Sequence, residues 1–189
     1  MRIRAAEPDD VEAIADLVQR AYGVYIERIG MRPGPMDDDY ADQVRQGLVH
    51  VAEDGSREEE DGSREEEGGA AVVGLIVLAE LEDRHSGRSS SRYAASNTTS
   101  TATAGRVLVI ENVAVDPVRQ GEGIGRRLLE FAEEAARGAG IGTVGLYTHE
   151  KMTENLALYA RLGYEEDERR QVEAFSRVFS RVFMSKRLR

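Results

Sequence analysis

The sequence lacks cysteine altogether, and that absence excludes several kinds of chemistry. Without thiols the chain forms no disulfide, binds no metal through thiolates and has no cysteine nucleophile. It has three histidines and no H-x-x-x-H spacing, so we predict that it holds no metal. Long apolar runs are also missing, since the longest one, at residues 70–79, is far too short to span a bilayer.

The N-terminal residues show none of the hydrophobic character of a secretory signal. Together with the lack of a membrane-spanning run, this predicts a soluble, cytoplasmic protein that does not bind a membrane. A length of 189 residues is enough to bury a core in one domain. We therefore expect a single domain over residues 1–189.

Negative charge is abundant but unevenly distributed. The formal net charge is −10, and residues 53–67 alone contribute −7, with nine acidic residues against Arg57 and Arg64. The other 174 residues carry only −3. The acidity therefore belongs mainly to one segment, and it argues against nucleic acid as a partner.

Residues 113–125 are the most informative segment of the chain, because glycine occupies every second position at its end. An apolar strand leads into a turn that holds Gly121, Gly123 and Gly125, and a helix follows. The missing Cβ atoms let backbone N–H groups crowd around an anion at the positive end of that helix. The segment therefore predicts a phosphate-binding turn.

The spacing of this turn distinguishes between kinds of phosphate ligand. A dinucleotide-binding turn needs G-x-G-x-x-G, but Arg126 occupies the third glycine position. A P-loop needs Gly-Lys-Ser/Thr, and no lysine is near. The pattern Q/R-x-x-G-x-G/A does fit, through Gln120, Gly123 and Gly125. With Val-Ala-Val-Asp-Pro before it and Arg-Arg-Leu-Leu-Glu after it, the segment resembles the coenzyme A pyrophosphate-binding signature of the GNAT superfamily of N-acetyltransferases.

Apolar periodicity divides the chain into helices and strands. Strand–helix–strand–helix between residues 106 and 163 implies a parallel crossover, whereas the other strands resemble hairpin partners. We predict an α/β (α+β) fold with a mixed, mostly antiparallel sheet flanked by helices. The resemblance implies the GNAT-like acyl-CoA N-acyltransferase fold, with helices first in the chain. The predicted helices are 9–20, 21–29, 38–46, 123–137 and 153–162, and the predicted strands are 48–53, 71–80, 106–115, 141–148, 164–172 and 175–187.

Two polar segments interrupt this pattern. Residues 54–67 consist of Asp-Gly-Ser-Arg-Glu-Glu-Glu twice in succession, and residues 82–105 are rich in serine and threonine. Neither has an apolar face to bury, so we predict flexible insertions at 53–69 and 82–105. The sequence Phe-Ser-Arg-Val is also duplicated, over residues 175–182. A slip of four residues keeps every side chain on its face, so the register of the last strand stays open.

The helix predicted at 153–162 carries candidate residues for chemistry. Asn155 and Tyr159 are four positions apart and share a helix face. The resemblance implies that Asn155 helps to hold the pantetheine arm and that Tyr159 gives a proton to the departing thiolate. A phenol with a pKa of about 10 is a reasonable acid for that step. The alternative is that Tyr159 packs in the core and bonds a carbonyl.

Glu111 and Asn112 interrupt the apolar strand at 106–115. A carboxylate in a buried strand is costly unless it is solvated or bonded. Glu111 is therefore the leading candidate to accept a proton from an acceptor amine, directly or through water. The alternative is that Glu111 faces solvent or pairs with an arginine. The resemblance also implies that the backbone of Val113 and Val115 bonds the pantetheine amides.

The resemblance thus implies one coenzyme A site along the strand, the turn and the helix. Arg119, Arg126 and Arg127 are candidates to bind its phosphates, although arginines are also common on helix surfaces. The predicted cofactor-binding residues are Val113, Ala114, Val115, Gln120, Gly121, Glu122, Gly123, Ile124, Gly125, Arg126 and Asn155.

The acceptor side is less well defined by the sequence. Tyr22, Tyr25, Arg28 and Met36 lie where GNAT proteins shape the acceptor pocket, and ordinary amphipathic packing is an equal alternative for them. His149 follows a strand and is interpreted as loop structure or pocket wall. The acceptor is either a small-molecule amine or a protein amino group. A C-terminal strand exchanged between subunits would give a homodimer, but the oligomeric state and the acyl-chain preference stay open.

Together these residues predict an acetyl-CoA-dependent N-acetyltransferase that moves the acetyl group to a primary amine by direct transfer in a ternary complex. Backbone N–H groups would stabilise the oxyanion, and Tyr159 would protonate the thiolate. The lack of cysteine fits direct transfer because it removes the usual ping-pong nucleophile. A non-catalytic acyl-CoA-binding sensor or interaction module is the alternative, and it would need neither Tyr159 nor Glu111. A phosphonucleotide-binding protein, the third hypothesis, would prefer ATP or NAD.

Overall fold

The computed structural model describes residues 1–55, 71–81, 106–174 and 177–189. In this part of the chain no helix has the length and apolar character needed to cross a membrane. The strands are β1 (Arg2–Ala5), β2 (Val49–Asp54), β3 (Ala71–Leu81), β4 (Val107–Val115), β5 (Thr143–His149), β6 (Glu165–Ala174) and β7 (Arg177–Arg187). The helices are α1 (Val11–Gly23), α2 (Tyr25–Ile29), α3 (Tyr40–Arg45), α4 (Ile124–Gly138) and α5 (Thr153–Arg161).

The strands form one sheet in the order β1-β2-β3-β4-β5-β7-β6. Neighbouring strands are antiparallel except for β4 and β5, which run parallel. The chain between those two strands forms α4, so β4, α4 and β5 make the predicted parallel crossover. The prediction of a mixed, mostly antiparallel sheet flanked by helices is therefore confirmed.

The predicted order, with helices first, is wrong at the N-terminus, where β1 precedes α1. This strand pairs antiparallel with β2, and Ile3 lies opposite Ala52. The Arg4 guanidinium donates hydrogen bonds of 2.6 Å to the carboxylates of Asp10 and Glu53. Four residues, two of them arginines, give too short an alternation for recognition from sequence. Pairing with β2 determines the strand instead.

The predicted insertions fall largely outside the described residues. Residues 56–70 and 82–105 are not among them, so the flexibility of these segments stays a prediction. The predicted start of the first insertion is wrong, because Glu53 and Asp54 belong to β2 and pair with β3. Both carboxylates also form ion pairs with arginines of neighbouring segments, which extends the ordered strand.

The structure gives the duplicated C-terminal segment one register. β7 lies between β5 and β6, with Phe183 opposite Tyr147 and Arg181 opposite His149 on β5. Residues 175 and 176, at the start of the first copy, lie outside the described part of the chain. Residues 179–182, the second copy, include the β7 residues that pair with the carboxyl end of β5.

The two faces of the sheet are covered by different helices. One buried cluster joins α4 and α5 to the sheet and includes Leu128 and Ile110. A second cluster joins α1 and α3 to the sheet and includes Leu17 and Leu75. The adjacent β3 residues Leu75 and Ile76 belong to different clusters, as the alternation of side chains along a strand requires. The sheet is thus a central layer between two helical layers.

Candidate active site

β4 and β5 separate part-way along their length. Three residue pairs join them, ending with Ile110 and Leu146, although β4 continues to Val115 and β5 to His149. Beyond that last pair the two strands no longer exchange ladder hydrogen bonds. The separation leaves a wedge at their carboxyl ends, which is where ligands commonly bind at parallel strands.

A β-bulge in β4 lies at the edge of this wedge. Asn112 is opposite Val77 and Ile110 is opposite Leu78, so Glu111 is the extra residue of the bulge. Bulges redirect side chains, and they are enriched beside active sites. The Glu111 Oε2 atom accepts a hydrogen bond of 2.9 Å from the Tyr147 hydroxyl. Glu111 is thus half-buried at the wedge rather than solvated on the surface.

Asn112, the second polar residue of β4, has a structural role. It is buried, and its Oδ1 atom accepts a 2.6 Å hydrogen bond from the Tyr22 hydroxyl. Its Nδ2 atom donates to the Tyr40 hydroxyl at 2.8 Å, and Tyr40 donates to the Pro35 carbonyl at 2.8 Å. Burial raises the pKa of Tyr22, so the phenol keeps the proton that it donates. The network fixes α1, α3 and the segment before α3 against β4.

The glycine-rich turn has backbone conformations that favour glycine. Gly121 and Gly123 have φ angles of 87° and 82°, in the left-handed region. Gly123 is also the N-cap of α4, and the first N–H groups of a helix lack acceptors within the helix. The turn therefore offers N–H donors and the positive end of the α4 dipole to an anion.

The larger of two cavities at the wedge runs from β4 along this turn to α5 and has a volume of about 530 Å³. Glu122 is the one predicted cofactor-binding residue that does not line it. The exposed Glu122 carboxylate instead accepts hydrogen bonds of 2.7–2.9 Å from Arg119. The predicted residues that do line it are Val113, Ala114, Val115, Gln120, Gly121, Gly123, Ile124, Gly125, Arg126 and Asn155.

Several arginines border the larger cavity, and Arg119 and Arg126 form hydrogen bonds with different carboxylates. Arg119 bonds Asp54 as well as Glu122, which raises its own pKa and lowers that of Glu122. Arg126 donates to Glu130 at 2.7 Å. Arg161 also lines the cavity, and sequence reasoning missed it. Arg161 lies three positions after Leu158, which also lines the cavity, so both residues share a face of α5.

Tyr159 borders both cavities, and so does Asn155 one turn earlier on α5. The Tyr159 side chain is 4% exposed. Burial raises its pKa above the usual value of a phenol, so the hydroxyl remains protonated at neutral pH. A buried proton donor therefore lies where the two cavities meet.

The smaller cavity has a volume of about 100 Å³ and is bordered by Glu111. One of its walls, which we term the β5–β7 wall, consists of Tyr147, His149, Phe179 and Arg181. The Arg181 Cζ atom lies 4.7 Å from the centroid of the Tyr147 ring and 5.8 Å from that of Phe179. Residues 31–35 border the cavity as well.

His149 is a wall residue, one of the two roles that the sequence left open. Its ring stacks on Phe179 with centroids 5.1 Å apart, and its Nδ1 atom accepts a hydrogen bond of 3.0 Å from the Lys151 backbone. Burial lowers the pKa of His149, which favours the neutral ring with its proton on Nε2. The buried Nε2 atom has no hydrogen-bond partner among the described residues.

The structure places the residues predicted on the acceptor side at different locations. Tyr22 borders both cavities, whereas Tyr25 and Arg28 border the larger one. Met36 is buried in the cluster beneath α1, and the described lining of neither cavity includes it. Its position next to the Pro-Gly-Pro turn packs it into the core instead of the wedge. Across the described ranges, no group of three metal-ligating side chains is placed to hold a metal ion.

Comparison with known proteins decides the family. The model of the acetyltransferase (GNAT) family matches residues 12–164, which is more than half of the chain. The chain belongs to the GNAT family. Among curated proteins, none matches this sequence. The GNAT assignment confirms the resemblance that rested on the glycine-rich turn and the helix with Asn155 and Tyr159, and it makes the protein an acyltransferase.

Solved structures share the GNAT fold over nearly the whole chain. A tetramutant of the BH1408 protein from Bacillus halodurans has a TM-score of 0.68 at 16% identity, with 92% of this chain and 99% of that chain covered. The ribosomal-protein-S18-alanine N-acetyltransferase from Escherichia coli has a TM-score of 0.61 at 18% identity, with 99% and 93% covered. The yncA protein from Salmonella typhimurium, solved with its cofactor acetyl-CoA, has a TM-score of 0.62 at 20% identity, with 100% and 94% covered.

Proposed function

We propose that this GNAT protein is an acetyl-CoA-dependent N-acetyltransferase that moves the acetyl group directly to a primary amine in a ternary complex. The position of Tyr159 carries the proposal, because this phenol borders both the cavity with the glycine-rich turn and the cavity with Glu111. A group at the junction of two binding sites can act on both substrates at once. Family membership and the acetyl-CoA bound to yncA support acetyl-CoA as the donor.

The residues of the larger cavity suit coenzyme A. The turn at 120–125 offers N–H donors for the pyrophosphate. Residues 113–115 of β4 lie beyond the pairing with β5, so their backbone groups on that side are placed to bond the pantetheine amides. Asn155 on α5 contributes a side-chain amide from the opposite side. When bound, acetyl-CoA would supply the thioester carbonyl that the amine attacks.

Glu111 is placed to accept a proton from the ammonium group of the acceptor. Its carboxylate borders the smaller cavity, and the Tyr147 hydroxyl orients it. Loss of this proton, directly or through water, yields the neutral amine that acts as nucleophile. The N–C bond then forms and the C–S bond breaks. Direct attack fits the chain because it has no cysteine to carry the acetyl group.

Tyr159 is placed to give its proton to the leaving thiolate. Burial keeps the phenol protonated by raising its pKa, and the same dry surroundings make a thiolate more basic. The amine loses a second proton as the amide forms, and that proton restores the phenol. One turnover therefore converts an ammonium ion and acetyl-CoA into an amide, coenzyme A and one proton.

Free-thiol release from acetyl-CoA with a panel of amines tests the proposal. We expect amine-dependent release matched one-to-one by N-acetylated product, with intersecting initial-rate patterns because both substrates must bind before either product leaves. Acetyl-CoA binding without turnover of any amine would instead indicate a non-catalytic acyl-CoA-binding module. Tighter binding of ATP or NAD than of coenzyme A would indicate a phosphonucleotide-binding protein.

A further inference from the structure

Two walls of the smaller cavity come from segments that the sheet does not connect. One is the bulged part of β4, which contains Glu111 and Asn112, and the other is residues 31–35, which we term the proline segment. β4 lies between β3 and β5, so its ladder hydrogen bonds go to those strands. Side chains must therefore hold the bulge and the proline segment in position relative to each other.

The proline segment is anchored through backbone carbonyls. Pro33 and Pro35 have no backbone N–H, so at these positions the chain can only accept hydrogen bonds. The Pro35 carbonyl accepts one of 2.8 Å from the Tyr40 hydroxyl. The next carbonyl, that of Met36, accepts one of 2.9 Å from the Gln19 side-chain amide. Two side chains from different helices therefore hold the end of the segment.

Tyr40 also bonds the bulge, so one oxygen atom joins the two walls. Its hydroxyl accepts a hydrogen bond of 2.8 Å from the Asn112 Nδ2 atom. A carbonyl can only accept, so the single hydroxyl proton goes to Pro35 and the hydroxyl must accept from the Asn112 amide group. This directs the Asn112 Oδ1 atom to the Tyr22 hydroxyl, which donates to it at 2.6 Å. The hydrogen bonds therefore run in one direction from α1 through β4 to the proline segment.

Tyr40 itself lies outside both cavities. It is the first residue of α3, it is 5% exposed, and the described lining of neither cavity includes it. Its partners Asn112 and Pro35 border the smaller cavity, as Glu111 does, whereas the described lining of the larger cavity includes none of these three. Loss of the Tyr40 hydroxyl should therefore change the smaller cavity through residues that line it and leave the larger cavity as it is.

We propose that Tyr40 is a positioning residue for the acceptor amine. Its hydroxyl holds the proline segment and the bulge with Glu111 in the arrangement that receives the amine. This inference rests on the proposed function and adds to it a residue that does not touch substrate. A cavity that is ordered in advance binds more tightly, because binding need not order its walls. Without the hydroxyl, the Asn112 amide and the Pro35 carbonyl lose a partner, and a buried polar group without a partner favours movement of its segment.

Hydrogen exchange of the full-length chain tests the connection between the two walls without any substrate. Tyr40→Phe removes the hydroxyl and keeps the ring. We expect amide exchange to become about tenfold faster both in the proline segment and in residues 110–113, because each loses a hydrogen bond that opposes local opening. Gln19→Met should speed exchange in the proline segment alone, because the Gln19 amide bonds Arg32 and the Met36 carbonyl.

Steady-state kinetics with the best amine of the panel test the positioning role. In Tyr40→Phe, kcat/KM for the amine should fall about tenfold, mainly through KM, because binding must then order the cavity. Acetyl-CoA affinity, measured by calorimetry, should stay unchanged. Gln19→Met should have a smaller effect on KM for the amine, because it releases one wall only. Tyr164→Phe changes a buried tyrosine that borders neither cavity, so this control should alter neither exchange in the two walls nor kcat/KM.

The outcomes separate the positioning role from the proposed function. Unchanged exchange of residues 110–113 in Tyr40→Phe would show that the hydroxyl does not connect the two walls. Faster exchange with an unchanged KM for the amine would reduce Tyr40 to a stabilising residue, and equal weakening of amine and acetyl-CoA binding would indicate general loosening. Each of these results would overturn the inference and leave acetyl transfer standing. Failure of the unaltered protein to acetylate any amine would contradict the proposed function itself, whatever the exchange rates.

Discussion

The larger and the smaller cavity are built from different parts of the chain. The larger one is lined by the β4–turn–α4 junction, by α5 and by residues 21–28 at the end of α1 and in α2. The smaller one is lined mainly by residues of β4, β5, β7 and α5, by Tyr22 and Ile29 and by residues 31–35, which are far apart in sequence. Tyr159 and Asn155 are among the residues that border both.

This difference separates what a short motif can specify from what depends on the whole sheet. A turn that binds phosphate depends on local glycine conformation, so a short motif is enough to specify it. A wall of side chains depends on strand register, which is a property of the whole sheet. The glycine-rich turn of the larger cavity can therefore be recognised from a short motif, whereas the wall of the smaller cavity depends on the structure of the sheet.

The largest effect is expected at Tyr159, where the two cavities meet. Tyr159→Phe removes the proton donor without opening a cavity, so kcat should fall by about 10²–10⁴-fold, the usual range for acid–base catalysis. Steady-state thiol release gives kcat, and calorimetry should show an unchanged acetyl-CoA affinity. Tyr164→Phe is the matched control, because Tyr164 is a buried neighbour whose ring centroid lies 6.2 Å away and it borders neither cavity. A similar loss in both variants would show that general packing, not proton transfer, is affected.

The same division explains how much could be predicted from the sequence. The helix–strand pattern, the glycine-rich turn and the pair Asn155 and Tyr159 are local features, and the structure brings them together. β1 was missed because pairing with β2 determines it. Phe179 and Arg181 were missed because they lie in the second copy of Phe-Ser-Arg-Val, whose register the sequence leaves open. Met36 lies in the core, the alternative that the sequence leaves open, because the same apolar residue suits a pocket or a core.

The next effect is expected on the acceptor side, at Glu111. Glu111→Gln should lower kcat/KM for the amine by about 10–100-fold at neutral pH, because the ammonium group must then lose its proton to solvent. Raising the pH supplies more neutral amine, so the defect should shrink as the pH approaches the pKa of the amine. A pH series of kcat/KM measures this. Glu80→Gln, which changes an exposed carboxylate paired with Arg106, should show no such trend. A defect that stays constant with pH would assign Glu111 to holding Tyr147 instead.

A smaller effect is expected in the turn of the larger cavity. Gly123 has a φ of 82° and open space where a Cβ would lie, so Gly123→Ala strains the backbone without a clash. We expect a loss of about 1–2 kcal/mol in unfolding free energy. The relaxed turn should also weaken acetyl-CoA binding by about tenfold, as loss of one charge-assisted hydrogen bond would. Denaturant unfolding and calorimetry measure the two quantities.

Gly138→Ala is the control for the turn variant. Gly138 is the last residue of α4, a Cβ there would also meet nothing within 4 Å, and its φ is not positive. Alanine should therefore stabilise the helix by up to about 1 kcal/mol and leave acetyl-CoA affinity unchanged. If both variants weakened acetyl-CoA binding equally, the left-handed turn would not be the determinant of the donor cavity.

The smallest effect is expected at Arg28, which tests where the boundary between the cavities lies. Arg28 on α2 bonds Glu154 on α5 at 2.6 Å and packs on the Tyr25 ring, and all three residues border the larger cavity. Its hydrogen bond lowers the pKa of Glu154, so the pair stays ionised at neutral and mildly acidic pH. Both side chains are exposed, so Arg28→Gln should raise KM for acetyl-CoA by about twofold or less.

Glu154→Gln should have the same small effect as Arg28→Gln, and the double variant should add nothing further, because the two residues act as one pair. Arg45→Gln, which breaks an exposed ion pair with Asp42 on α3, is the control and should change neither KM. The informative result is which KM responds. A rise in KM for the amine that exceeds the rise for acetyl-CoA would place Arg28 on the acceptor side, as the sequence predicts. The proposed assignment of the larger cavity to acetyl-CoA and of the smaller cavity to the amine would then fail at α2.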